Sequence, residues 1–183
     1  ARLIRAAVEL FPVEGYAGTT TPRIAAHAGV AEGTIYRHFP DKQQLFNEAY
    51  RGVLRWAQEA WREEGRVPVR ERLARLARGL AEAAWKDPAA IRMLLTDWPG
   101  DLLDQPSREA AGQFRETLDR MIATGKQDGH VRAGPADLWA GVWFALISTG
   151  VRRVASRDWT ADHPHFGLVL EAAWSAIAAE GRP

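Results

Sequence analysis

The chain has 183 residues, with 24 Lys and Arg against 23 Asp and Glu, a net charge of +1, and 46% hydrophobic and 26% charged residues. That balance suits one domain, or a small one joined to a medium one, and excludes a disordered chain. No cysteine is present, which removes disulfides, thiolate metal sites and cysteine nucleophiles and fits a reducing compartment, so a cytoplasmic location is expected. The longest uncharged apolar stretch, Leu138 to Val151, is 14 residues long and contains Ser148 and Thr149, short of the roughly 18–20 residues that span a bilayer.

Apolar residues recur at helical spacing almost throughout and no strand-like alternation persists, so an all-α fold of about nine helices is expected. Leu3, Ile4, Ala7, Val8 and Phe11 make the stripe of a first helix that stops at Pro12 or shortly after, before Gly15-Tyr16-Ala17-Gly18. A short second helix follows, with Thr21 as N-cap, Pro22 at the first helical position, where a missing N–H costs nothing, and Gly29 as terminator. A third short helix covers about Glu32 to Phe39 and is closed by Pro40. Asp41-Lys42-Gln43-Gln44 has capping-box spacing for a long fourth helix through Leu45, Phe46, Ala49, Val53 and Trp56, continuing to about residue 64.

Gly65-Arg66-Val67-Pro68 is the first strong break. Val69, Leu73, Leu76, Leu80 and Ala84 then form an amphipathic stripe of four turns. Asp87-Pro88 caps a shorter helix carrying Ile91, Leu94 and Leu95; Trp98 to Pro106 reads as loop; and Ser107 starts a helix with Phe114, Leu118, Met121 and Ile122 inward. Gly125 to Pro135 reads as a second loop. The last two helices run from about Ala136 to Ala155 and from His165 to Ala179, both rich in apolar and small residues. No internal repeat is present.

Residues 19–39 carry the chemistry. Two helices of about two turns joined at Gly29-Val30 make a helix-turn-helix, whose second helix lies in the DNA major groove. The small Ala25 allows close approach, Gly29 supplies a positive φ, and Ile35 fills the angle between the helices. Counting around the second helix of the pair puts Val30 and Ile35 toward the core and Glu32, Gly33, Thr34, Arg37 and His38 on the exposed side or its edges.

Four ordered blocks, Ala6-Ala7-Val8-Glu9-Leu10-Phe11, Gly15 to Thr21, Ile24-Ala25-Ala26-His27-Ala28-Gly29-Val30 and Gly33 to Lys42, resemble the DNA-binding domain of the TetR family of bacterial transcriptional regulators. The resemblance covers residues 2–50. It implies a three-helix DNA-binding domain over 1–50 and a helical ligand-binding and dimerisation domain over 51–183, with the fourth helix as link. It also implies that Thr21 and Arg23 approach the DNA backbone or an adjacent base, that Thr34, Tyr36 and His38 contact phosphate or base edges, and that Lys42 binds a phosphate. Glu32, Gly33 and Arg37 complete the expected DNA-facing set, Gly33 leaving room for close approach.

Three positions depart from the family pattern. Ala31 stands where a Ser or Thr cap is common, Pro22 cannot read a base, and Glu32 repels phosphate unless it accepts from cytosine N4. They keep a second reading open, a ligand-binding or scaffold protein that has lost DNA binding. Residues 1–50 carry five Lys and Arg against five Asp and Glu, so a modest footprint is expected, supplemented by Arg51, Arg55 and any basic arm that precedes Ala1.

All eight Trp lie between Trp56 and Trp174, in the region where the resemblance implies effector binding. Trp85, Met93, Leu94, Trp98, Phe114, Leu118, Trp139 and Trp143 are the candidates for lining a pocket for a small apolar or aromatic molecule. The resemblance also implies a homodimer through the last two helices, where Gly141, Ala145, Gly150, Ala172, Ala173 and Ala176 allow close packing. His163 and His165 suggest a metal only with a third ligand, and neither a metal nor a cofactor is expected. No Gly-x-Ser-x-Gly, P-loop or His-Glu-x-x-His motif occurs, and an enzyme is not expected. The resulting expectation is a repressor of a near-palindromic operator, released by its effector.

Overall fold

The computed structural model describes residues 1–60 and 67–179. The break expected at Gly65-Arg66 and the extension of the fourth helix to about residue 64 lie outside the described residues. Within them are nine helices and no strand: α1 (Arg2–Gly18), α2 (Thr21–Ala28), α3 (Gly33–His38), α4 (Lys42–Ala60), α5 (Val69–Lys86), α6 (Pro88–Leu95), α7 (Gln105–Gln127), α8 (Ala136–Ala155) and α9 (Pro164–Ile177). None of the described helices is long and apolar enough to cross a membrane. The chain divides into two compact units, Ala1–Ala57 with Ala89–Ala111 and Gln58–Pro88 with Gly112–Pro183.

In the first unit α1 buries Leu3, Ala6, Ala7, Val8, Leu10 and Phe11. Pro12 sits inside α1, and the true break comes three residues later at Gly15, with φ 72° and ψ 164°, a conformation that glycine adopts without a Cβ penalty. Phe46 of α4 is fully buried, with ring centroids 5.2 Å from Phe11, 5.6 Å from Tyr16 and 4.9 Å from Trp98. Asp41 caps α4 as its spacing predicts, accepting from the Gln44 N–H at 2.7 Å.

A polar group next to this core ties α4 to the start of α7. Asn47, 1% exposed, donates to the Gln43 and Leu102 carbonyls at 2.8 and 3.0 Å and accepts from the Asp104 N–H at 2.9 Å. The Arg51 guanidinium reaches both Asp104 oxygens at 2.8 Å, the Ser107 hydroxyl at 2.9 Å and Glu48 at 2.6 Å. Asp104 also accepts from the Ser107 N–H at 2.8 Å. It is therefore the cap of α7, which begins at Gln105 rather than at the predicted Ser107, with Pro106 tolerated in the first turn.

In the second unit α8 packs on α9 and on α5. α5 buries the predicted Val69, Leu73, Leu76, Leu80 and Ala84 together with Ala77, Ala81 and Ala83. Gly150 and Ala173, predicted for a surface between copies, are instead buried within the chain: a Cβ on Gly150 of α8 would stand 2.9 Å from the Phe166 ring of α9, and Ala173 is fully buried. Gly125, predicted to open a loop, lies inside α7, where its missing Cβ admits Val69 and Val131. α9 starts at Pro164, one residue before the prediction, because the His163 ring accepts from the His165 N–H at 3.2 Å and caps it.

Candidate nucleic-acid interface

The α2–α3 pair is fixed by its ends more than by its length. The N-cap of α2 is Thr20 rather than Thr21, since the Thr20 hydroxyl accepts from the Arg23 N–H at 3.3 Å; Pro22 remains in the first turn, where no bond is lost. At the other end Gly29 takes the left-handed conformation, φ 63° and ψ 42°. Its N–H bonds the Ala26 carbonyl at 3.1 Å and the Val30 N–H bonds Ala25 at 3.0 Å, the paired closure of a Schellman motif. Ile24 and Ile35 are fully buried and Ala25 nearly so, whereas Val30, predicted inward, is only half-buried. With Ile35 buried, α3 presents Tyr36, Arg37 and His38 to solvent and leaves Thr34 half-buried. As Ala31 foreshadowed, no side chain caps α3.

The nine residues predicted to face DNA divide by what holds them. Arg37 is exposed and has no partner among the described residues. A Cβ on Gly33 would meet nothing within 4 Å, so nothing inside the chain requires glycine there. Thr21, Glu32 and Tyr36 are joined: the Thr21 hydroxyl lies 3.3 Å from Glu32 Oε1 and 3.1 Å from the Tyr36 hydroxyl. Arg23 pairs with Glu14 at 3.0 Å. His38 stands beside Phe39, with ring centroids 6.4 Å apart. Lys42 is half-buried; its Nζ donates to the Tyr16 and Thr19 carbonyls at 2.8 and 3.0 Å and sits 4.1 Å from the Tyr16 ring centroid. Two of its three N–H donors thus clamp the end of α1, and one is left for a phosphate.

Beneath this surface Glu9 bonds both His27 and Arg5 at 2.6 Å. The His27 hydrogen bond, with that of Arg5, holds the Glu9 carboxyl below its ordinary range. Burial raises the Tyr16 hydroxyl, helped by the nearby Asp41 charge. Sequence reasoning missed the Asn47–Arg51–Asp104–Ser107 network. Asn47 on the inward side of α4 was a signal, but partners more than 50 positions away have no local signature.

The eight residues predicted to line an effector pocket fall in both units. Met93 and Leu94 are buried in the first, where Trp98 donates to the Met93 carbonyl at 3.0 Å. Trp98 also borders a cleft of about 620 Å³ with Tyr16, Gln43, Asp101 and Leu102 among its walls. In the second unit Phe114, Leu118 and Trp143 are buried, and Trp143 borders a small void of about 40 Å³ with Trp174 and Leu73. Trp85 is 43% exposed beneath the Arg157 guanidinium, 4.2 Å from the ring centroid. Trp139 donates to the Ala133 carbonyl at 3.0 Å under Arg132. His163 stacks on Trp159 and His165 meets the same ring edge-on, and no group of three metal-ligating side chains forms among the described residues.

Residues 3–49 match the family model for bacterial regulatory proteins of the tetR family. The chain is 31% identical over 191 residues to the nucleoid occlusion factor SlmA of Marinobacter nauticus, covering 94% of each protein. It is 30% identical over 139 residues to the fatty acid metabolism regulator protein of Bacillus subtilis, covering 73% of this chain and 71% of that one. Its fold is that of a TetR family transcription regulator from Shewanella sp. PV-4, with a TM-score of 0.81 at 23% identity over 98% and 97% of the two chains. It also matches FadR of Bacillus subtilis, solved with stearoyl-CoA, with a TM-score of 0.70 at 23% identity over 96% and 98%. Relatives of this kind account both for the helix-turn-helix and for nearly the whole length, and the chain belongs to the TetR family of bacterial transcriptional regulators.

Proposed function

We propose that this regulator is a homodimeric repressor that binds a near-palindromic operator through α3 and is released by a small apolar or aromatic effector. The observation that carries the DNA contact is the orientation of α3: Ile35 is fully buried while Tyr36, Arg37 and His38 are exposed on a helix set at a Schellman turn. Arg37 and the spare donor of Lys42 supply phosphate contacts. Arg23 exchanges Glu14 for a phosphate, and Thr34, Tyr36 and His38 reach phosphate or base edges. Gly33 lets the backbone come close.

An exposed stripe supports dimerisation through the last two helices. Leu138, Gly141, Ala145 and Thr149 follow one another along α8, and Leu168, Ala172 and Ser175 along α9, with Leu138 51% and Leu168 68% exposed. Two copies related by a twofold axis bury such a stripe against itself. For the effector, a relative solved with stearoyl-CoA and the Trp-rich composition of this chain both point to an apolar ligand. A hundredfold loss of operator affinity requires the effector to prefer the released conformer by about 2.7 kcal/mol.

A mobility-shift titration with DNA flanking the chain's own gene tests this. Arg37→Ala is expected to weaken binding, with helical content unchanged. The slope of log affinity against log salt is expected to flatten by about 0.9 for each phosphate that the variant no longer neutralises. Stearoyl-CoA, as first probe, is expected to change Trp fluorescence and release the DNA. An unchanged salt slope rejects the assignment of Arg37, and no shift at any salt concentration rejects the repressor reading.

A further inference from the structure

Of the five acidic side chains in residues 1–50, four are held by a cation or serve as a helix cap. Glu9 has Arg5 and His27, Glu14 has Arg23, Glu48 has Arg51, and Asp41 has the Gln44 N–H. Glu32 is exposed, and its partner among the described residues is a neutral hydroxyl, that of Thr21. Thr21 has one proton to give. Donated to Glu32, it leaves the Thr21 oxygen to accept from Tyr36 at 3.1 Å, and the three side chains form a directed chain, Tyr36 to Thr21 to Glu32, ending on Oε1. Glu32 Oε2 takes no hydrogen bond from the described residues, and a carboxylate oxygen is an acceptor only.

An uncompensated carboxylate at the start of a recognition helix is repelled by phosphate, and it gains only where a base edge offers a donor. In the major groove those donors are cytosine N4 and adenine N6. Adenine N6 lies between two acceptors, its own N7 and O4 of the paired thymine, both of which repel a carboxylate. Cytosine N4 has an acceptor on one side only, O6 of the paired guanine. We infer that Glu32 is a specificity-determining residue that reads a cytosine in each operator half-site, and that Thr21 positions it. This rests on the reading of α3 as the DNA-contacting helix.

Selection from a random double-stranded oligonucleotide pool, run with the full chain and three variants, tests the inference. The unaltered chain is expected to enrich sites with one fixed C·G pair in each half-site. Glu32→Gln keeps the shape and can pair bidentately with adenine N6 and N7, so that position is expected to turn from C to A. Glu32→Ala is expected to lower discrimination there about tenfold and leave the other positions intact. Thr21→Val, which leaves the Thr20 cap in place, is expected to relax the same position to a smaller degree. An unchanged consensus in both Glu32 variants, or loss at all positions together in both, overturns the inference while leaving DNA binding by α3 standing. A chain that enriches no sequence overturns that reading and the inference with it.

Discussion

The helix pairs α2–α3 and α8–α9 reach definite geometry by opposite means. α2 and α3 have 8 and 6 residues and bury four side chains between them, Ile24, Ala25, Ala28 and Ile35. Their relative angle is set by backbone closure at Gly29, the Thr20 cap fixes the start of α2, and most of the large side chains they expose are polar, Arg23, His27, Arg37 and His38 among them. α8 and α9 have 20 and 14 residues and are set by apolar contact: Gly150 admits the Phe166 ring, and Trp143, Ile147, Val151 and Val154 line the buried side of α8. Helices as short as the first pair are marginal alone, so their order depends on the platform beneath them and their chemistry can sit wholly on the surface.

The largest test of that dependence removes the platform. Phe46→Ala deletes a fully buried ring that packs against Phe11, Tyr16, Tyr50 and Trp98, a change expected to cost about 3–5 kcal/mol. Ile35→Val, which trims the one buried side chain of α3, is expected to cost about 0.5–1.5 kcal/mol. Urea titration measures both. If Ile35→Val costs as much as Phe46→Ala, the short pair holds itself up and the contrast fails.

What the sequence showed divides along the same line. Gly29, Asp41 and the Pro88 start of α6 were legible because turn and cap chemistry is local, and the errors there were small: Thr20 rather than Thr21 caps α2, and Asp104 places the start of α7 two residues early. The apolar stripe of α5 was legible from its period. The destination of a buried small residue was not. Gly150 and Ala173 have the same composition signature whether they are buried within their own chain or against a second copy, and only the folded structure separates the two. The Lys42 clamp on the Tyr16 and Thr19 carbonyls was hidden for the same reason, because a phosphate and a helix-end carbonyl attract the same ammonium.

A smaller effect probes the long pair directly. Gly150→Ala removes a helix-interior glycine, a gain of about 0.5–1 kcal/mol, but places a methyl 2.9 Å from a Phe166 ring that is itself 2% exposed. Overpacking of this kind costs about 1–3 kcal/mol, and a buried ring has little room to move, so the variant is expected to be less stable by roughly 1 kcal/mol. Gly79→Ala in α5, where a Cβ meets nothing within 4 Å, is the control and is expected to stabilise by about 0.5–1 kcal/mol. Thermal melts that raise the midpoint of both variants would show that close approach at Gly150 is dispensable.

The smallest expected effect separates two carboxylates by their shielding. Glu9 is held low by its His27 hydrogen bond and by Arg5. Asp104 is pushed up by burial but held low on balance by Arg51 and Ser107. Both are lower in the folded chain than in the unfolded one, so the unfolded state binds more protons in acid. Their contribution is present above the ordinary carboxylate values of 4.5 and 3.8 and is lost as pH falls through the depressed folded values. The Glu9 partners are exposed, His27 by 40% and Arg5 by 49%, whereas the Arg51 side chain is 14% exposed. Salt screens the first group more than the second. Acid unfolding of Glu9→Gln is therefore expected to lose a pH-dependent component that added salt also removes, while Asp104→Asn loses one that persists in salt. Equal salt sensitivity in the two variants would mean that the Arg51 network is as open to solvent as the surface beneath α2.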